Sequence, residues 1–259
     1  MTNMRAKFEA YKTTSSWMPT NPMWNVHQLR TATDNDIKSI TVADTELRAS
    51  SEFKSLGVLL DQQLSFQKHT TAVATACNYH IQAIRHVRPL LTRDVAETLT
   101  CSLVNNRLDY CNSLTYGAPV SSINKLQRVL NNDARVVTQS CQCTDARPLL
   151  VSLHWLPVQQ RITFKLALVT FKTVKTSSPS YLNAHLTPAV RSQSPRSSSR
   201  PLLQVPACTT TFARRAFSYA APHLYGTHYL QTFRLVHQLL FFKTKLKTLL
   251  YREAFNCWF

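Results

Sequence analysis

Glycine is nearly absent: Gly57, Gly117 and Gly226 are the only three in 259 residues. Average usage near 7% would give about 18. A dinucleotide-binding turn and a P-loop each need closely spaced glycines that let the backbone approach phosphate. Neither pattern occurs, so both nucleotide-binding architectures are excluded. An all-β sandwich or barrel is disfavoured too, because its tight turns draw on glycine for positive φ. A helix-dominated fold remains.

With 44% hydrophobic residues, the chain can bury a sizeable core as one large domain or two small ones. Its formal net charge is +17, unevenly distributed. Residues 1–145 hold 15 basic and 12 acidic residues, a net of +3. Residues 146–259 hold 15 basic residues and one acidic residue, Glu253, a net of +14. Charge of this density repels itself unless a polyanion balances it, and nucleic acid is the leading candidate, ahead of an anionic membrane surface. A basic surface whose acidic complement belongs to a missing neighbour is the competing explanation. The seven cysteines lack framework spacing, the N-terminus Met1–Lys12 is polar, and no Asn-x-Ser/Thr site occurs. Free thiols in a reducing intracellular compartment, nuclear or cytoplasmic, are therefore expected. No apolar run approaches the roughly 20 residues of a membrane span.

Residues 37–47 alternate apolar and polar side chains and predict a strand, and Phe53–Leu60 predicts a second, followed by a turn at Asp61–Gln63. From Ser65 the period becomes helical. Val73, Cys77, His80, Ile84, Val87 and Leu91 form the stripe of a first long helix, closed near Pro89. Thr92 is placed to cap a second helix with stripe Val95, Leu99, Leu103 and Tyr110. Ser121 or Ser122 would cap a third, with Ile123, Leu126, Leu130, Ala134 and Val137 inward. Pro157 suits the first position of a fourth, with Val158, Ile162, Leu166 and Val169 inward and Lys165 and Lys172 off the stripe. Residues 191–201 are Ser/Arg-rich and read as a linker. A further apolar segment covers Phe212–Ala220. A last helix is expected over Phe233–Ala254, with Phe233, Val236, Leu240, Leu246 and Leu250 inside.

Few motifs point to chemistry. Asp34 with Asp36 and Asp44 with Glu46 lie in polar, turn-like stretches, where solvated carboxylates are the simpler reading. Cys77 and His80 fall on an apolar stripe and read as core, while Cys141-x-Cys143 with His154 is a loose set without standard zinc spacing. No GxSxG elbow exists. More telling is the interleaving of Arg161, Lys165, Lys172, Arg196, Arg200, Arg214 and Arg215 with Phe164, Phe171, Tyr181, Phe212 and Tyr219. Cations neutralise phosphates, and aromatic faces stack on unpaired bases. These seven basic residues are the candidate nucleic-acid contacts.

The order of short segments adds a family resemblance. Ser16-Trp17-Met18 comes first, then Leu56-Gly57-Val58-Leu59-Leu60-Asp61 and Arg107-Leu108-Asp109-Tyr110-Cys111-Asn112. Leu153-His154-Trp155-Leu156-Pro157-Val158 with Arg161, Pro179-Ser180-Tyr181-Leu182 and Arg215-Ala216-Phe217-Ser218-Tyr219-Ala220 follow. Together they resemble the C-terminal portion of a non-LTR, LINE-type (jockey-like) retrotransposon reverse transcriptase. No single segment carries this; the ordered set does. The resemblance implies magnesium-dependent polymerase chemistry whose metal-binding aspartates would lie upstream of Trp17. This chain is therefore expected to carry no catalytic residue, metal site or cofactor. Leu56, Gly57 and Val58 resemble the hairpin that grips the primer end. Asp133 stands where small apolar residues are usual in that family.

The expected architecture is mainly α: a thumb-like helical bundle with a small two- or three-stranded β remnant of a polymerase palm. Its parts would be a palm-end remnant (1–64), a helical thumb-like region (65–190), a linker (191–211) and a C-terminal helical segment (212–259). The expected function is non-specific RNA or DNA binding through the basic C-terminal half without polymerase activity. The alternative is an inert or protein-interaction-only remnant. Exposed edges would make the orphaned β piece the least stable part of the domain and an aggregation site.

Overall fold

A computed structural model describes residues 39–42, 45–48, 51–188, 203–226 and 238–255. They are mainly helical, with four short strands. The chain divides into two units, 1–53 and 54–259. In the first, β1 (Ser39–Val42) pairs antiparallel with β2 (Thr45–Arg48), from Ser39 opposite Arg48 to Val42 opposite Thr45. The single strand expected over 37–47 is thus a hairpin. The second expected strand also folds back on itself. β3 (Glu52–Ser55) and β4 (Val58–Asp61) form a separate two-stranded sheet, joined by Leu56 at φ 47° and Gly57 at φ 82°. Two positive φ values in a two-residue loop match the twist of the flanking strands, and glycine supplies the second without strain. Periodicity alone did not reveal either reversal, because each half is only four residues long.

Asp61 ties the second hairpin to the helices. Its carboxylate accepts from the Ser65 N–H (3.0 Å), the Ser65 hydroxyl (2.7 Å) and the Phe66 N–H (3.0 Å). α1 (Gln67–Val87) follows, then a 3-10 turn over Arg88–Leu90. Its buried line is Thr70, Ala74, Cys77, Ile81 and Ile84, continuing to Arg88. The expected line shared only Cys77 and Ile84 with it; Val87 is exposed and His80 half-buried. Small side chains at Thr70 and Ala74 turn that face inward. Arg88 is buried, with Nε and Nη2 donating to the Val137 carbonyl (3.0 and 2.7 Å) and Nη1 to the Leu91 carbonyl (2.7 Å). A guanidinium thereby caps the carbonyl end of a neighbouring helix, where the helix dipole favours a cation.

Thr92 caps α2 (Arg93–Thr100), its hydroxyl accepting from the Val95 N–H, as expected. The stripe is not the expected one. Ala96, Thr100, Val104 and Leu108 are buried, while Val95, Leu103 and Tyr110 are exposed. Strict steps of four drift around an ordinary 3.6-residue helix. A π-helical turn over Cys101–Asn105, between α2 and α3 (Asn106–Asp109), widens the helix and keeps these residues on one face.

α4 (Val120–Thr138) is preceded by Pro119 rather than capped by Ser121 or Ser122, and Ser122 is buried within its first turn. Its expected inward residues Leu126, Leu130, Ala134 and Val137 are all buried. α5 (Ala146–Ser152) was not expected; Asp145 caps it, and Pro148 sits in its first turn, where no N–H is needed. α6 (Val158–Thr176) begins after Pro157, which is the cap and not the first helical residue. α7 (Ser180–Asn183), a 3-10 turn at Ala213–Arg215, α8 (Phe217–Gly226) and α9 (Leu239–Phe255) complete the described elements. Phe233 and Val236 lie outside the described residues; Leu246 and Leu250 are buried as expected, while Leu240 points outward and Phe242 joins the core. Phe171 and Phe242 stack with ring centroids 3.9 Å apart. One hydrophobic cluster runs from Ala74 to Phe255, so α9 shares its core with the helices of 65–190. No described helix is long and apolar enough to cross a membrane.

An ionisable carboxyl group lies inside this core. Asp133 is fully buried, and neither carboxylate oxygen has a hydrogen-bond partner. The Thr100 hydroxyl, also buried, faces it without reaching hydrogen-bond geometry. Burial pushes the Asp133 carboxyl up to about 8, against the lowering pull of Arg161 and Thr100. The folded protein therefore holds a proton that the unfolded chain releases near pH 4. Between the ordinary value of 3.8 and about 8, each pH unit should remove about 1.4 kcal/mol of stability. Urea unfolding of wild type against Asp133→Asn at pH 5, 6 and 7 checks this. The wild-type-minus-variant stability difference should fall steadily with rising pH, and a difference that stays level contradicts the buried, protonated carboxyl.

Candidate nucleic-acid interface

The described cations sort into those used by the fold and those left at the surface. Arg161, in the first turn of α6, belongs to the fold. Its Nε donates to the Leu156 carbonyl (2.7 Å) and its Nη1 to Asn105 Oδ1 (3.0 Å), with Asp109 carboxylate oxygens at 3.4 Å. Asn105 and Asp109 are four residues apart, one at the end of the π turn and the other at the end of α3. The widened turn aims both at the same guanidinium. The Arg161 side chain is 11% exposed, against 48% for Asp109, so it supports the wall of a site and is not held out to a ligand.

That wall borders an open cleft of about 530 Å³ between the π-turn region, α6 and α9. Asn105, Asn106 and Asn112 line one side, and Phe164, Lys165 and Lys247 the other. A second cleft of about 440 Å³ shares His154, Phe164 and Lys247 with the first and adds Lys243, Thr244, Thr248 and Tyr251. The two form one groove. α9 sets the spacing: Lys243 and Lys247, like Thr244 and Thr248, are one turn apart and share a face. His154 takes φ 54° where α5 ends and stacks on Tyr251, centroids 6.1 Å apart. Trp155 behind it is buried, as expected. The Tyr251 hydroxyl donates to the Val151 carbonyl (2.9 Å), so the groove floor is braced. Among the residues lining both clefts, Asp109 is the one carboxylate, and Arg161 balances it. Lysine ammoniums, part of the Phe164 ring and the Asn106 amide therefore face solvent together.

Of the seven expected contacts, this groove takes two, Arg161 as support and Lys165 as an exposed lining residue. Lys172 is exposed further along α6 but lines neither cleft. Arg214 is exposed elsewhere. Arg215 is half-buried, with Nη1 donating to the Leu64 carbonyl (3.2 Å) and its stem against Gly117, so it too serves the fold. Arg196 and Arg200 lie outside the described residues. The aromatics divide likewise: Phe164 lines the groove, Phe171 is core, and Tyr181 and Phe212 are exposed without lining it. In the β3–β4 hairpin, Leu56 is exposed and Val58 buried. The Tyr110 hydroxyl donates to the Leu56 carbonyl (2.6 Å), seating the Leu56–Gly57 turn on the helical unit.

Sequence reasoning missed Lys243 and Lys247. The signal is present, since Lys243-x-Lys245-x-Lys247 places two lysines at i and i+4, on a helix whose apolar stripe is the stronger pattern. Cys77 is fully buried, its thiol directed at the Val104 carbonyl (3.9 Å) and pushed up to about 11 by burial and then by Asp133. Among the described residues no group of three His, Cys, Asp or Glu side chains converges on a point that suits a metal ion. Asp34, Asp36 and Asp44 lie outside the described residues. No known family, curated protein or solved structure matches this chain.

The geometry separates two partners by burial. Arg161→Ala should lower stability by about 2–3 kcal/mol, since a charged donor is removed from half-buried acceptors. Asp109→Ala should cost under about 1 kcal/mol, because that side of the pair is half exposed. Paired urea melts measure both, and an Asp109 effect as large as that of Arg161 contradicts the assignment.

Proposed function

We propose that this chain binds RNA or DNA non-specifically, laying a single strand along the groove between α6 and α9, and that it derives from a reverse-transcriptase-like protein of the non-LTR type. One observation carries the binding part: Lys165, Lys243 and Lys247 surround Phe164 in an open groove whose lone lining carboxylate is already paired. Three ammoniums suit backbone phosphates, and the accessible part of the half-buried Phe164 ring suits an unstacked base of any identity. Asn106, exposed at the groove, adds a donor and an acceptor for base edges or sugar hydroxyls. The family origin rests on the ordered segments of the sequence. Two of them sit at this groove: Arg107–Asn112 brings Asp109 and Asn112, and Leu153–Val158 brings His154 and Trp155.

Phosphoryl transfer is not part of the proposal. Primer extension by the purified chain with magnesium should stay at background. Binding is tested by titrating labelled oligo(dT) and oligo(U) from 20 to 200 mM salt. Lys165→Gln/Lys243→Gln/Lys247→Gln should flatten the slope of log K against log salt by about 2, given roughly 0.7 per phosphate contact on single strands. Phe164→Ala should weaken binding about tenfold with the slope unchanged. A variant pair indistinguishable from wild type places the contacts elsewhere on the basic surface. No binding at 20 mM salt favours a protein-interaction role.

A further inference from the structure

Away from the groove, Cys141 and Cys143 are both exposed, with their sulfurs 2.8 Å apart. They lie in the short connection between α4 and α5, which is held at several points. The Ser140 N–H donates to the Arg135 carbonyl (2.9 Å) and the Thr144 N–H to the Cys141 carbonyl (3.1 Å). Arg135 Nε donates to the Thr144 carbonyl (3.0 Å), and Asp145 caps α5. These bonds turn both thiols to the same side. A disulfide requires about 2.05 Å between sulfurs, so closure needs only about 0.8 Å of approach within the loop. Beside Cys141 opens a cleft of about 390 Å³ lined by Arg85, Arg88 and Arg135. Arg88 is spent on the Val137 and Leu91 carbonyls, but all three guanidiniums keep the cleft positive.

We propose that Cys141 and Cys143 form a thiol–disulfide exchange site for anionic low-molecular-weight disulfides of the glutathione class. The Cys141 thiolate attacks one sulfur of the bound disulfide. That S–S bond breaks, and the first leaving thiolate takes up the proton that Cys141 gave up. Cys143 then loses its proton, and its sulfur attacks Cys141 Sγ in the mixed disulfide. The second small thiol departs with that proton, leaving a Cys141–Cys143 disulfide. The protein dithiol is oxidised by two electrons, and the reagent is reduced to two thiols. The Cys143 thiol beside it, foremost, and the Arg135 charge hold the Cys141 thiol below its ordinary value, which favours Cys141 as the attacking group. With two thiols and no converging third ligand among the described residues, exchange chemistry suits the pair better than zinc.

The test treats the full chain with oxidised glutathione, blocks residual thiols with N-ethylmaleimide and maps the digest by mass spectrometry. The expected product is a 141–143 peptide lighter by about 2 Da and unalkylated, with Cys77, Cys101, Cys111 and Cys208 alkylated or untouched. Cys143→Ser should accumulate a glutathione adduct at Cys141, and Cys141→Ser should react at least tenfold more slowly. Cystamine, a cationic disulfide, should react several-fold more slowly than oxidised glutathione with wild type, and Arg85→Gln should narrow that ratio. Alkylation of both Cys141 and Cys143 after oxidation overturns the site. Equal or faster reaction with cystamine overturns the anionic substrate class.

Discussion

Arg161 joins two stretches of the helical unit that are distant in sequence. Its guanidinium reaches Asn105 and Asp109 on the widened helix, and the Leu156 carbonyl just before α6. A lysine has one compact ammonium and does not span such divergent acceptors. The π turn is the matching adaptation on the other side: without it, residues 96, 100, 104 and 108 would drift off the core face, and Asn105 and Asp109 would not converge. A buried cation at this junction makes the groove a fixed wall instead of a gap between loosely packed helices. The lysines that we assign to ligand binding are presented from that wall and from α9 opposite.

The same junction contains the fold's chief electrostatic cost. Asp133 is buried beside Thr100 without a hydrogen bond, and the positive field of Arg161 relieves this only in part. A small apolar residue there would leave nothing to desolvate. Asp133 is thus carried by the helical scaffold at the expense of pH-dependent stability. The cost is local; Leu130, Ala134 and Val137 around it are packed as their periodicity predicts.

Helices were legible in the sequence where the apolar period was near 3.6 and the terminators ordinary. α4 and the first half of α6 bury the residues that the stripe selects, Thr92 caps as its position suggests, and Trp155 is core. Failures have physical causes. The stripe of α1 was misplaced because Thr70 and Ala74, small residues that permit close packing, do not register as hydrophobic. The stripe of α2 was misplaced because a π turn changes the period. The hairpins were read as single strands because their turns interrupt alternation for only two residues. For the groove, charge counting identified the basic C-terminal half, but not which cations remain at the surface. Arg161 and Arg215 are consumed by backbone carbonyls and neighbouring polar groups, a role that composition does not distinguish from phosphate binding. Lys243 and Lys247 share a helix with a dense apolar stripe, which dominates its sequence pattern.

Photo-crosslinking addresses the location of binding most directly. A 4-thiouridine-substituted single-stranded RNA would be irradiated with the full chain, and the adducts mapped by peptide mass. The groove account predicts adducts on peptides 162–165 and 244–252, lost when excess unlabelled oligo(dT) is added. Adducts confined to residues 191–215, with none on α6 or α9, would contradict it.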